Sequence, residues 1–261
     1  MAEERIRLGG MALQNGVLVH GPTSWAAAIR DEEGTLHVAS GRKPQLAASV
    51  ATPLLRGPLR LAEAFALIPV VRRALPQARF PFQRPAVAGA ILGSALAARA
   101  LRRAPGLPAG LREAAAAGFA LLPAAVALRG PGLAAYHGAE HISIGTYELG
   151  RPAPKEHPRC GSQLLPPLVV SSLAASLAAA AVPARSRSLA RVLGALASVG
   201  ASVEVFVWTN RHPEHPLARA LARPGLELQR RFSTAEPAPS QLEVANAARD
   251  ACLALEQQAA A

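Results

Sequence analysis

Two cysteines, Cys160 and Cys252, are all that the 261 residues contain. So few exclude a disulfide-stapled secreted scaffold and favour a reducing compartment. Aromatic residues are also scarce, at 4%, which leaves little on which nucleobases can stack. The net charge of +11 is therefore no specific nucleic-acid signature, because neither a basic stripe nor a recognisable binding module accompanies it. Charged residues reach only 17%, against roughly 25% in an average soluble domain. The charged start, Met1 to Leu8, is not followed by the apolar run of a secretory signal. What the chain does have is 51% hydrophobic residues, mostly alanine and leucine, which excludes disorder for most of its length.

The first 50 residues carry short alternating runs, Ala12 to His20, Trp25 to Arg30 and Thr35 to Ala39. Asp31-Glu32-Glu33-Gly34 between two of them reads as a hairpin turn, so residues 1–50 are expected to form a small β-rich unit on the cytoplasmic side. Residues 51–84 follow, with arginines spaced along an apolar helix over 53–75. That pattern predicts a helix lying in a membrane interface, and a linker. At the other end, residues 211–261 return to soluble composition. There Gln241 to Gln258 spaces Leu242, Ala245, Ala248, Cys252 and Leu255 as one helix face, with Ser240 as N-cap and Glu243 completing a capping box.

Between these lies a helical membrane domain, residues 85–210. Residues 85–98 and 114–128 are uncharged but shorter than the ~20 residues that usually span. Leu164 to Val182 is the strongest candidate span, and Val192 to Asn210 is interrupted only by Glu204. With four spans, 21 basic residues fall on the side of both termini and 7 on the other, which puts the termini in the cytoplasm. The fold class expected is mainly α: a polytopic protein of the inner membrane with about four spans. An alanine-rich soluble bundle is the competing arrangement.

The densest polar cluster is Tyr136-His137-Gly138-Ala139-Glu140-His141. On a helix, His137 and His141 share one face at the spacing that presents two imidazoles to one metal, and Glu140 stands close enough to act as a general base on water. This is the HxxEH order of the inverted zincins, although Gly138 and Gly145 count against a straight helix here. A third ligand is offered by Glu204, a carboxylate inside a span, or by Glu148, one further step along the same face. His157-Pro158-Arg159-Cys160 forms a second cluster, in which a histidine and a cysteine three apart can complete or orient a soft-metal site and Arg159 can lower the thiol's pKa. The plainer alternative makes the same residues a hydrogen-bonded seam between helices. His212 and His215 read as interfacial loop residues among prolines, and His20 and His37 as exposed strand residues.

These blocks together carry a resemblance. Gly9-Gly10, Gly16-Val17, Gly21-Pro22, Leu55-Arg56-Gly57, Glu63, Tyr136 to His141, Tyr147-Glu148, His157 to Gly161, Glu204, Pro224-Gly225-Leu226, Leu228-Gln229, Glu236-Pro237 and Glu243-Val244-Ala245 resemble the YqhQ-like bacterial membrane proteins of unknown function. The chain departs from that pattern at Asn15, His20 and Ile142-Ser143, which puts in doubt any role for an amino-terminal carboxylate. The resemblance implies an integral membrane protein described as a metal-dependent enzyme with no assigned reaction. The favoured expectation is a zinc-dependent hydrolase at the cytoplasmic membrane boundary. His137 and His141 bind the divalent metal with Glu204 or Glu148, Glu140 is catalytic, and Tyr136, His157, Arg159 and Cys160 support the site. The alternatives are a non-catalytic factor that binds or assembles a protein partner at the cytoplasmic face, and a transporter using Glu204. The basic charge is expected to serve anionic lipid.

Overall fold

A computed structural model describes residues 5–45, 52, 56–120, 122–128 and 132–260. The Leu55 position and the start of the expected 53–75 helix lie outside them. Four strands, β1 (Gly9–Ala12), β2 (Gly16–His20), β3 (Ser24–Arg30) and β4 (Leu36–Arg42), form an antiparallel meander in sequence order. The acidic turn behaves as expected. Gly34 takes φ +86° and the Asp31 carboxylate accepts from the Thr35 N–H at 2.7 Å, so β3 and β4 pair from Arg30–Leu36 to Ser24–Arg42.

Burial in β2 and β3 is nearly continuous rather than alternating, because both faces of the sheet are covered. On one face Val17, Val19, Ala26 and Ala28 meet Tyr136, Ala139 and Ile144 of α5 (Leu133–Leu149) and Val244, Ala245, Ala248 and Cys252 of α9 (Pro239–Ala260). On the other, Leu18, Trp25, Ala27 and Ile29 meet Leu67 and Val71 of α1 (Arg56–Ala74). Each valine, leucine or isoleucine among them contributes roughly 1.5–3 kcal/mol on leaving water. The exposed face of α1 keeps Arg60, Arg72 and Arg73. The sheet is thus the middle of three layers, and chain segments from both ends of the sequence close it.

Helix α9 begins at Pro239, two residues before the expected start. Proline suits the first helical position, and the Gln241 side chain accepts from the Ala238 N–H at 2.9 Å. Glu243 is left to pair with Arg30 at 2.6 Å. Further along, Glu256 is buried and takes the N–H groups of Thr23 and Ser24 and the Thr23 hydroxyl. Gly21 makes room for it, since a Cβ there would stand 2.5 Å from the carboxylate.

The remaining helices are α2 (Pro85–Arg103), α3 (Ala109–Ala120), α4 (Leu122–Leu128), α6 (Leu165–Ala181), α7 (Arg187–Arg211) and α8 (Pro216–Leu228). Among the described residues two helical stretches are long and apolar enough to cross a membrane, Gly161–Ala181 and Arg187–Arg211, and little of either is buried within the chain. They pack as an antiparallel pair, with Ala175 against Gly194 and the Ser171 hydroxyl on the Ser198 carbonyl. The other two expected stretches are also helical where they are described. Residues 114–120 belong to α3 and 122–128 to α4, and residue 121 lies outside the described residues. Helix α2 has 19 residues but closes on Arg102 and Arg103.

Candidate metal centre

Helix α5 runs unbroken through the HGAEH block, so the two glycines that argued against it need another explanation. They permit close approach. A Cβ on Gly138 would lie 2.1 Å from the Ala235 carbonyl oxygen, and one on Gly145 would lie 2.8 Å from the Ala153 Cβ. The segments that press in at these points orient the histidines.

The His137 Nδ1 donates to the Ser233 carbonyl at 2.7 Å, and the His141 Nδ1 donates to the Lys155 carbonyl at 2.6 Å. A carbonyl can only accept, so both rings hold their proton on Nδ1 and direct an Nε2 lone pair inward. The rings are edge to face, with centroids 4.4 Å apart. Cys160 Sγ lies 3.3 Å from the His137 Nε2, and ligand atoms of His137, His141 and Cys160 all fall within 4.8 Å of one another. On a tetrahedral zinc, a nitrogen and a sulfur ligand stand ~3.5 Å apart, given bonds of ~2.0 and ~2.3 Å. Two oriented imidazoles and a thiol at these separations fit a divalent metal of borderline softness. Burial lowers the His141 pKa, and the Cys160 hydrogen bond opposes this only in part. The ring therefore stays neutral, the form that ligates.

Glu140 lines the same cavity of about 320 Å³, beneath β1. It is buried, and among the described residues no side chain or backbone group donates a hydrogen bond to its carboxyl. Burial pushes its pKa up, against the pull of His137 and His157. Gly10 of β1 allows this placement, because a Cβ there would stand 2.4 Å from the Glu140 Oε1.

The rest of the expected set is distributed around this core. Glu148 faces away from the cluster and pairs with Arg159 and with the His157 Nε2 at 3.1 Å. These partners hold its pKa below the ordinary carboxylate value despite burial. His157 has both ring nitrogens engaged, since its Nδ1 accepts from the Arg159 N–H. It orients the loop and leaves ligation to Cys160. Glu204 is half-buried on α7 and does not line the cavity. Tyr136 belongs to the core beneath the sheet. His20, expected to be exposed, is partly buried against Gly9, and burial lowers its pKa.

Three contributors lie outside the site residues expected from sequence: Lys155, whose carbonyl fixes His141, and two in the π-helical turn Gln229–Ser233 that follows α8. Ser233 supplies the carbonyl that fixes His137. Gln229, fully buried, accepts from the His157 N–H at 2.7 Å and donates to the His157 carbonyl and the Ser162 hydroxyl. It thereby staples the loop that presents Cys160. The Leu228-Gln229 block was the available signal.

Residues 133–255 match a family described as a protein of unknown function (DUF1385). The uncharacterized protein YqhQ of Bacillus subtilis (strain 168) is 35% identical over 118 residues, 42% of this chain and 37% of the relative. The chain thus matches little more than a third of the length of that relative. No solved structure matches. The family match begins at the first residue of α5 and takes in all the cluster residues together with α6 to α8 and most of α9.

Proposed function

For a YqhQ-like chain, whose family has no assigned reaction, we propose a membrane-anchored, metal-dependent hydrolase with its site on the cytoplasmic side. The observation that carries this reading is the meeting of two oriented Nε2 lone pairs and a thiol beside Glu140, a buried carboxyl in the same cavity that accepts no hydrogen bond among the described residues. Three protein ligands with one position open is the pattern of catalytic zinc, and a bound zinc ion would supply Lewis acidity toward a substrate oxygen. Glu140 takes and returns the proton at its carboxylate. Burial raises its pKa above the ordinary carboxylate value, the direction that strengthens a carboxylate as a base. Ser233, Lys155, Gln229 and the Glu148–His157–Arg159 group keep the three ligands in place.

The membrane reading rests on α6 and α7 as a crossing hairpin, with α2 and α3 packed beside them as further membrane-embedded helices. Their outward residues support it: Ile91, Leu92 and Leu96 on α2, Val170 on α6, and Leu189, Val192, Leu193 and Leu196 on α7 are all exposed. Trp208 and Arg211 near the end of α7, and the Leu217, Leu221, Arg219 and Arg223 faces of α8, have the composition of a membrane–water boundary. Because α9 covers the sheet, the amino-terminal and carboxy-terminal layers share one side. The chain then crosses an even number of times, and the basic excess puts that side in the cytoplasm.

The test is metal analysis of the full chain purified without chelator. About one ion per chain is expected, falling at least tenfold in His141→Ala and Cys160→Ser. Metal-free protein whose thermal midpoint ignores added zinc would sink the proposal. Metal binding that Glu140→Gln leaves intact, with no change in cellular function, would instead favour a non-catalytic assembly factor.

A further inference from the structure

A second cavity of about 400 Å³ lies among α2, α3, α6 and α7, outside the metal site. Its walls are mostly apolar, with Leu165, Leu168 and Leu173 of α6, Ala116 of α3 and Ala195 of α7, interrupted by Ser172, Ser176 and Ser198. Lining residues on α6 run from Leu165 to Ser176, about 16 Å of helix at 1.5 Å per residue. That is close to one leaflet, half of the ~30 Å hydrocarbon thickness. At one end the slot meets a recess of about 330 Å³ lined by Arg99, Arg102, Arg103 and Arg191, with Arg102 and Arg191 common to both.

The charge there is not internally balanced. Glu113 pairs with Arg102 at 3.0 Å. Among the described residues Arg99, Arg103 and Arg191 have no carboxylate partner. Arginine's planar fork matches phosphate oxygens, and an apolar slot one leaflet deep matches an acyl chain. We propose that this composite cavity holds one anionic phospholipid, its phosphate on Arg99, Arg103 and Arg191 and one chain along α6. The proposal rests on the membrane reading above. It commits to a lipid over a free phosphate because the recess continues into a slot that a phosphate cannot fill.

The full chain is reconstituted in nanodiscs of equal phosphatidylglycerol and phosphatidylcholine, released into mild detergent, and weighed intact by native mass spectrometry. One phosphatidylglycerol is expected to stay with each chain, at least tenfold preferred over phosphatidylcholine. Arg99→Gln/Arg191→Gln should lower that preference at least tenfold, and Ala195→Phe, which fills the slot, should remove the bound lipid. If Ala195→Phe fails to fold, the arginine pair on the surface still decides the matter. Equal retention of the two lipids, retention indifferent to the arginine variant, or displacement by millimolar inorganic phosphate would each overturn the lipid site. A parallel carbonate wash separates the two levels: a chain released from membranes overturns the membrane reading itself, whereas an embedded chain without lipid preference overturns only this site.

Discussion

The His137 Nε2 stands 3.3 Å from the Cys160 Sγ, across 23 residues of sequence. Helix α5 provides His137 and His141 by its own periodicity, but the thiol arrives only because Gln229 and the Glu148–His157–Arg159 group hold the intervening loop. The centre is therefore sensitive to changes that touch no ligand.

Gly138→Ala should show this most directly. The added methyl meets the Ala235 carbonyl, so the segment bearing Ser233 must retreat and the His137 Nδ1 loses its acceptor. Zinc affinity is expected to fall about 10–100-fold, and stability by about 1–3 kcal/mol. A competition titration against a chromophoric chelator measures the first. An unchanged affinity would refute the role given to Ser233.

Glu140→Gln should separate chemistry from binding. Loss of the general base is expected to cost about 10²–10⁴ in turnover, with metal content unchanged. Stability moves the other way. Burial raises the folded-state pKa of Glu140 above its ordinary 4.5, so below that value both folded and unfolded chains hold the proton. As the pH rises past it the unfolded chain ionises first and the native state loses relative stability. Metal-free Glu140→Gln should thus melt higher than wild type at pH 7, and the two should converge near pH 4. A variant that melts lower at pH 7 would contradict the assignment.

Glu256→Ala tests the closure of the sheet. It strands the Thr23 and Ser24 N–H groups beneath α9, for an expected loss of about 2–4 kcal/mol. Urea unfolding gives the value; a loss under about 0.5 kcal/mol would mean that water replaces the carboxylate.

The two cysteines should differ sharply toward iodoacetamide at pH 8. Burial pushes the Cys252 thiol up to about 11, and the side chain is fully buried. Cys160 is half-exposed at the cavity. Native protein should be labelled at Cys160 alone, and zinc should protect it. Peptide mapping that finds equal labelling would refute the arrangement.

What could be read in advance was whatever the local period contains. His137, Glu140 and His141 were legible because a helix repeats every 3.6 residues, and the Asp31–Gly34 turn because its composition is local. Helix faces and membrane depth rank Glu204 and Glu148 ahead of Cys160 as the third ligand, although the His157–Cys160 spacing allows it to complete the site, because such an argument cannot see a loop folding back. Gly138 was misjudged for the same reason: helix propensity counts its missing Cβ as a cost, whereas packing against Ala235 uses it.

The placement of Cys252 beneath β3, 228 residues after Ser24 whose carbonyl it meets, sets an order of events. The strands precede both helices that cover this face, and α5 closes only part of it. Until α9 is made, Val17, Val19, Ala26 and Ala28 lack the Val244, Ala245, Ala248 and Cys252 side chains that complete their shelter. A chain cut before residue 239 is accordingly expected to expose a sticky sheet and to aggregate.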